Sequence, residues 1–524
     1  MRKQTKIAVG LTAAALLAIG ASMSAFAAKG WTNENGTWYY YDRNGDAECN
    51  KWRSYNGNYF YLGDDGAMLT NTVIDDNGNY YYVDANGAMV KNRWVPVEAD
   101  DEDHDLDVEY RWYYFTATGK AYRNKDKVAI NGKKYGFDDY GKMLFGFVDG
   151  ARSIIYDVDD PVLQSTYYYG TNDDGAMHVG WLKYEDGMDT DQYDDEFYYF
   201  YYNKDGKKVV NTEKKISGKK YSFDDNGVMN SEWEKEVDPI TLDVTYKYFS
   251  GKDDGSLKKR AWVYAIPSED LHQKDHDEDN YRWFYVLNDG TVFTDEVKVI
   301  NNKSYVFDEF GRMQTGLVYL KDEAAKGSTF ISKWDLDKTK AADLYADDYT
   351  DGYLHYFSND EVHDGAMKTG NSFKLSLADD DYTFAFKKNS GVALEGIVNN
   401  KVYRRGILQN AGDDKYKIVA AGTSAAKAGE PAANNKLFLV NSTGTRIKEN
   451  HYYKDADGYY VMALDGDDDI NGYIIGAYES TADAKKDYEA YKAGTITGPD
   501  DAASLAIKHA ELDGTTYDAI WVKN

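Results

Sequence analysis

The chain has 524 residues, with 49 Tyr and 46 Gly against only 6 Pro, and a formal net charge of −28. That charge repels phosphates and argues against a nucleic-acid or anionic-lipid partner. Aromatic residues at 15%, interleaved with glycine, exceed what a core needs and favour strands and turns over helices.

A lone cysteine, Cys49, leaves no internal disulfide to form, and it is expected to be a small packing residue. Stability then has to come from repetition of packed units. Taken in order, the chain opens with Arg2, Lys3 and Lys6, an apolar run from Ile7 to Ile19, and Ala25-Phe26-Ala27 as an A-x-A cleavage site. Residues 1–27 are therefore expected to be a secretory signal peptide, with an apolar run too short to span a membrane.

Residues 28–93 carry short repeats whose turn glycines, Gly45, Gly66 and Gly87, are spaced 21 apart. The clearest copy, residues 77–89, reads N-G-N-Y-Y-Y-V-D-A-N-G-A-M. Tyrosine runs beside Asn-Gly, which tolerates positive φ, are the strongest local signal for a β-hairpin. Alternation within Tyr39-Tyr40-Tyr41 puts Tyr39 and Tyr41 on one face and Tyr40 on the other. About half of such rings are expected to fill the space between successive hairpins.

From residue 94 to residue 370 the period lengthens. Trp94, Trp181 and Trp262, separated by 87 and 81 residues, open three units of about 85 residues. Each unit holds an acidic insert, an aromatic cluster and two further hairpins. The inserts, 98–109, 185–196 and 268–280, have almost no apolar residues. Such runs bury too little surface to offset their ordering entropy, so mobile loops are expected. Residues 371–470 read as degenerate repeats, with residues 420–435 a plausible linker. Residues 471–524 read as a C-terminal cap. Within it, residues 480–492 have helical composition with Ser480 as N-cap, and 499–512 could start a second helix with Pro499 in its first turn. The fold class expected is all-β, a solenoid of tandem β-hairpins with a small, atypical, partly helical C-terminal segment.

The pattern G-W-x(4)-G-x-W-Y-Y-Y-x(3)-G runs from Gly30-Trp31 through Trp38-Tyr39-Tyr40-Tyr41 to Gly45, and Lys51-Trp52 follows. It resembles the choline-binding, or cell-wall-binding, repeats of Gram-positive surface proteins. The hairpin at 130–143, I-N-G-K-K-Y-G-F-D-D-Y-G-K-M, resembles the related repeats of glucan-binding domains. The resemblance extends over residues 30–370 and, more weakly, 380–465. It implies a left-handed solenoid in which a trimethylammonium group sits among two or three rings of neighbouring hairpins. Cation–π attraction is worth about 0.5–2 kcal/mol per contact, so affinity would come from several sites in parallel.

Carried onto this sequence, the resemblance implies four cages: Trp31 with Trp38 and Tyr59; Trp52 with Tyr59 and Tyr80; Trp94 with Trp112 and Tyr135; and Trp262 with Trp283 and Tyr305. Lys134, Lys220 and Ser304 stand where the middle hairpins would place a second ring, so those junctions are not expected to take choline. No catalytic constellation or phosphate loop stands out, and no cofactor is implied. His272 and His276 are four apart, but Q-K-D between them lacks the Glu of a zinc protease, and no calcium-loop pattern occurs in the inserts.

The function expected is non-enzymatic: an exported surface protein held non-covalently on a cell-envelope polymer, choline-decorated teichoic acid or a glucan. No nucleic-acid partner and no membrane insertion of the mature chain are expected. With I-W-V-K-N at its end, the repeats themselves would be the attachment device. The alternatives are an α-glucan or exopolysaccharide-binding protein, and an adhesin or spacer that binds a partner protein through its acidic inserts.

Overall fold

The computed structural model describes residues 29–495, apart from 101–102, 104–105, 157, 186–187, 189–192, 194, 347–351, 360–364, 371, 422–435, 457, 459, 464–473 and 479, together with 510–512, 515–517 and 522–523. The expected signal peptide and most of the linker lie outside these residues. Two compact units form: one holds the residues up to Glu232 with Phe249–Leu257, the other Trp233–Tyr248 with the residues from Lys258 onward.

Both units are built from two-stranded antiparallel hairpins. Thr72–Asp76 pairs with Asn79–Val83, with Asp76 opposite Asn79. The two residues between them, Asn77 and Gly78, have φ of 53° and 75°, which matches a turn whose twist suits the strands it joins. Asn-Gly therefore does close the hairpin, but it is the pair before the tyrosines. The later pair, Asn86-Gly87, belongs to a second turn, in which Asp84 Oδ1 accepts from the backbone N–H of Asn86 at 2.9 Å and of Ala88 at 3.0 Å.

That second turn ties one hairpin to the one before. Met89 bridges Val83, and its N–H donates to the Tyr59 carbonyl of the preceding hairpin at 2.8 Å. Met68 donates likewise to Trp38, Ala121 to Tyr80 and Met143 to Trp112. The methionine side chain makes the reverse contact. A Cβ on Gly87 would lie 2.7 Å from Met68 Cε, so glycine is needed there for space as well as for its φ of 76°. Gly and Met of the repeat are thus partners across repeats, not within one. The core lies between hairpins, where Leu62, Val83, Phe115, Phe137, Phe223 and Phe307 are almost fully buried.

In the long units the strand pairs fall at Arg93–Glu98 with Tyr110–Phe115, Gly180–Tyr184 with Tyr198–Tyr202, and Ala261–Ala265 with Arg282–Val286. The acidic inserts are the tips of these hairpins, and they are not mobile loops throughout. Asp103 is buried, pairing with Arg111 and, at 2.8 Å, with Lys142. In the third insert Glu269–Asp277 is helical with a kink at His272, whose φ of −159° and ψ of 90° are not helical, and Asp275 is buried against Arg282 and Arg312. In the second, Met188 and Tyr193 are buried, and the Tyr193 hydroxyl donates to Asp224 at 2.6 Å. A few residues of each insert find partners that a composition rule, averaging over the run, does not register.

Beyond the long units the simple hairpins merge into wider sheets. Strands between Phe373 and Gln409 form a five-stranded sheet. His451–Lys454 and Tyr460–Ala463 form the expected pair with Tyr452 opposite Met462. Thr481–Lys492 is helical with Ser480 as N-cap, its hydroxyl accepting from the Asp483 N–H. The helix expected from Pro499 lies outside the described residues as far as 509, and Ala510–Leu512 is a strand paired with Thr515–Tyr517. Cys49 is exposed, so it is not a packing residue. Among the described residues no helix is long and apolar enough to cross a membrane.

Candidate functional site

Side chains alternate along each strand, so every hairpin turns one set toward the preceding hairpin and the other toward the next. In Arg93–Glu98, Trp94 faces Tyr114 across the hairpin. Trp112, two residues before Tyr114, lies on the same face. The next hairpin offers Tyr135. The four rings meet as a corner: Trp94 to Trp112, centroids 6.4 Å apart and planes at 89°; to Tyr114, 5.2 Å and 73°; to Tyr135, 4.8 Å and 65°. Tyr135 is a buried floor, and the two indoles are half-buried walls. Burial pushes the Tyr135 hydroxyl above its ordinary pKa, so the floor stays neutral.

The same corner recurs at Trp262, with Trp283 at 6.1 Å and 89° and Tyr305 at 4.8 Å and 73°. Both sets implied by the sequence in the long units are therefore brought together. A third set was not singled out: Trp181 meets Tyr199 at 6.2 Å and 88° and Tyr221 at 4.9 Å and 69°. Its signal was present, since Trp181 opens the middle long unit as Trp94 and Trp262 open the others.

The short repeats pair their rings one residue differently from the sets implied there. Trp31 packs on Tyr40 at 5.5 Å and Phe60 at 5.4 Å, and Trp52 on Tyr61 at 5.0 Å and Tyr81 at 5.2 Å. Strand parity is the reason. Tyr59 shares the face of Tyr61, which lies opposite Trp52, so the ring turned back toward Trp31 is Phe60, and by the same rule Tyr81 replaces Tyr80 at Trp52. Trp38 holds the position relative to Trp31 that Trp112 holds relative to Trp94. Tyr59 is 43% exposed with Lys91 Nζ 4.7 Å from its centroid, and Arg123 lies over Tyr80 at 5.5 Å. The Trp52 indole N–H is already committed to Asp76 at 3.1 Å.

A further corner exists but is filled from within. Trp233 meets Tyr248 at 4.9 Å and Phe284 at 4.8 Å, the arrangement of Trp94, Tyr114 and Tyr135. Leu271 of the insert helix is buried in the same cluster, the Tyr246 hydroxyl donates to the Asp270 carbonyl at 3.0 Å, and the Trp233 indole donates to the Ile266 carbonyl at 2.7 Å.

Fixed cations distinguish the three remaining corners. The residue opposite the floor tyrosine is Val128 in the first, Lys214 in the second and Lys298 in the third. Lys298 Nζ lies 4.3 Å from the Phe293 centroid and 5.9 Å from that of Tyr285. In the second corner Lys183 also stands opposite Tyr199, with Nζ 4.2 Å from the Phe197 centroid and paired to Glu185 at 2.8 Å. The Trp94 corner alone of the three has an apolar residue opposite its floor ring. Lys220, at a junction not expected to take choline, forms an ion pair with Glu213.

Elsewhere, a cavity of about 300 Å³ is lined by Asp103, Arg111, Asp138, Lys142, Arg152 and Tyr156 among others; its charges largely pair with one another. His272 lies against Arg312, Asp275 and Phe310. Among the described residues no group of His, Cys, Asp and Glu is arranged to hold a metal ion.

Residues 49–94 match the family model of the choline-binding repeat. No curated protein matches the chain. Among solved structures, the choline binding domain of Spr1274 in Streptococcus pneumoniae is 35% identical over 13% of this chain and 88% of that one, with a TM-score of 0.12. Choline binding protein F from Streptococcus pneumoniae is 20% identical over 72% of this chain and 98% of that one, with a TM-score of 0.30. The modular autolysin LytC from Streptococcus pneumoniae is 18% identical with a TM-score of 0.31; 55% of this chain aligns with 54% of that one, so the match spans about half the autolysin's length. By its repeats the chain belongs to the choline-binding repeat family.

Proposed function

We propose that the protein is an exported, non-enzymatic surface protein that attaches to a choline-bearing cell-envelope polymer through several weak aromatic sites. The observation that carries this reading is the recurrence of one ring geometry at Trp94/Trp112/Tyr135, Trp181/Tyr199/Tyr221 and Trp262/Trp283/Tyr305. A quaternary ammonium cannot donate a strong hydrogen bond but is attracted to converging ring faces, by about 0.5–2 kcal/mol at each. Single sites are then weak, and a polymer that engages several gains by effective concentration. The net charge of −28 favours a cationic group over a phosphate at long range.

The Trp94 corner is the strongest of the three sites, because no lysine stands opposite its floor ring. The short repeats around Trp31 and Trp52 contribute through the same family resemblance, with Phe60 and Tyr81 as their inner rings. Titration of the full chain with choline, followed by tryptophan fluorescence, tests the reading. Saturable quenching that weakens in Trp94→Ala/Trp112→Ala supports it. An unresponsive chain, or quenching unchanged in that variant, refutes it.

A further inference from the structure

We propose that Asn56 and Asn131 are modification sites, where the fold leaves the chain open to cyclisation with loss of ammonia while it shields the other Asn-Gly pairs. Asn-Gly occurs at seven places among the described residues. At Asn44, Asn86 and Asn226 the glycine N–H donates to the carbonyl of Asp42, Asp84 or Asp224, at 3.2, 2.8 and 3.1 Å. The other four pairs close hairpins, with φ between 49° and 53° at the asparagine, so this backbone angle does not separate them. A side chain does. The Gly36 N–H donates to Asn33 Oδ1 at 3.1 Å and the Gly78 N–H to Asp75 Oδ1 at 2.7 Å. The Gly57 and Gly132 N–H groups donate to no acceptor among the described residues.

The difference lies three residues before the glycine. Asn33 and Asp75 carry an oxygen that reaches the turn, whereas Ala129 has none and the Ser54 hydroxyl makes no such bond. Both unshielded pairs are exposed. A Cβ added at Gly57 or Gly132 would meet nothing within 4 Å, so water has access and the turn has room to move. Asn77 is restrained a second time, its carboxamide donating to Asp76 Oδ1 at 2.8 Å.

The chemistry needs no reagent but water. The glycine nitrogen, on losing its proton, attacks the carbonyl carbon of the asparagine side chain. The bond from that carbon to the carboxamide nitrogen breaks, and ammonia leaves with the proton. Water then adds to either carbonyl of the five-membered imide and breaks one of its C–N bonds, leaving aspartate or isoaspartate. A glycine N–H held by an acceptor must give up that bond before its nitrogen can attack, which slows the first step by about threefold to tenfold. Either product adds a negative charge at a hairpin tip, and isoaspartate adds one carbon to the main chain of a two-residue turn. Such a turn fixes register. At Asn131 it holds Lys133 opposite Ile130 and Tyr135 opposite Val128, so modification there disturbs the floor ring of the Trp94 corner. The modification itself stands whatever the corners bind.

The test incubates the full chain in warm, mildly alkaline buffer and follows each Asn-Gly peptide by mass mapping with isoaspartate detection, in native buffer and in denaturant. In the folded chain Asn56 and Asn131 are expected to convert about threefold to tenfold faster than Asn35 and Asn77. In denaturant, where the shielding bonds are gone, the four should convert at similar rates. Ala129→Asp supplies the missing acceptor and should slow Asn131 by the same factor, while Asp75→Ala should speed Asn77 toward the rate of Asn131. An unaltered rate at Asn56 in both variants reports that the fold is kept. The proposal is overturned if the four pairs convert at one rate in the folded chain, or if their ranking persists in denaturant. It is overturned equally if Ala129→Asp leaves Asn131 as fast as before, or if Asp75→Ala leaves Asn77 as slow.

Discussion

Asp275 and Arg312, 37 residues apart in sequence, meet at 2.8 Å and fasten the insert helix of one hairpin to the closing turn of the next. Arg282 completes the clamp at 2.6 Å. Asp103, with Arg111 and Lys142, makes the same clamp in the first long unit: Arg111 and Arg282 each directly precede the second-strand tryptophan, and Lys142 and Arg312 each directly precede a turn methionine. In the middle unit those two positions are Tyr198 and Val228, and the insert supplies Tyr193, which packs on Tyr198 at 5.5 Å. The clamp changes from charged to uncharged side chains at all three positions together.

Asp275→Ala should therefore be costly. Its carboxylate is buried between two guanidinium groups, and removal of one partner from a buried ion pair costs about 3–5 kcal/mol because the other charges are left uncompensated. Part of that is offset here, since Arg312 keeps Asp308 at 2.8 Å. Denaturant unfolding should show a loss of about 3 kcal/mol in the unit that holds this residue. A loss below about 1 kcal/mol, the range of exposed pairs, would mean that the insert is not clamped in solution.

The same carboxylate sets an acid limit. Burial raises the Asp275 pKa, but hydrogen bonds from Arg282 and Arg312 outweigh it and bring the value to about 2. A depressed carboxyl pKa contributes stability above the unfolded value, about 3.9, which is lost as pH falls through the folded value. Stability should fall between about pH 4 and pH 2, and Asp275→Asn should flatten that slope. Lys208 acts in the opposite sense. Burial lowers its pKa to about 8, although its ammonium donates to the Val162 and Leu163 carbonyls at 2.6 and 2.9 Å. The unfolded chain then holds the extra proton between pH 8 and the ordinary lysine value of 10.5, so stability should rise with pH from about 8 until tyrosine ionisation reverses it. Thermal melts across pH in Lys208→Met should lack that rise.

How much of this was legible follows strand parity. Tandem hairpins could be read from Asn-Gly turns and tyrosine runs, and the third ring of a corner could be read where Tyr135 and Tyr305 have no aromatic residue directly beside them in their strands. In Asn58–Leu62 and Asn79–Val83 several aromatics run consecutively, and only the register distinguishes Phe60 from Tyr59 or Tyr81 from Tyr80. The inserts were misread for a different reason. Their composition is that of a solvated loop, and the partners of Asp103 and Asp275 lie on other strands and turns, which a local count of charge does not include. The filling of the Trp233 corner by Leu271 depends likewise on a helix that folds back onto a preceding hairpin.

The lysines beside the corners should weaken them toward a cationic ligand. Lys298→Ala removes a charge that lies 5.9 Å from the Tyr285 ring, and Lys183→Ala removes one that stands opposite Tyr199. Like charges a few ångströms apart near a protein surface repel by about 1 kcal/mol once partial screening is included. Each substitution should strengthen choline binding at its own corner about threefold to fivefold, read most clearly in a Trp94→Ala/Trp112→Ala background where the strongest corner is silent. Unchanged affinity in both would show that these lysines swing clear of the rings.

The coupling between repeats can be tested at a single glycine. Gly87→Ala puts a methyl group 2.7 Å from Met68 Cε at a φ of 76°, a backbone conformation that itself costs an alanine about 1 kcal/mol or more. The methionine tip can shift, but the Leu69 carbonyl at 3.2 Å cannot move as freely. Loss of about 1–3 kcal/mol is expected on denaturant unfolding. Met68→Ala should relieve the methionine clash while leaving the φ penalty and a small void, so the two changes together should cost less than the sum of each alone. Strict additivity would show that Gly87 is required only for its backbone angle and that methionine does not key one hairpin onto the next.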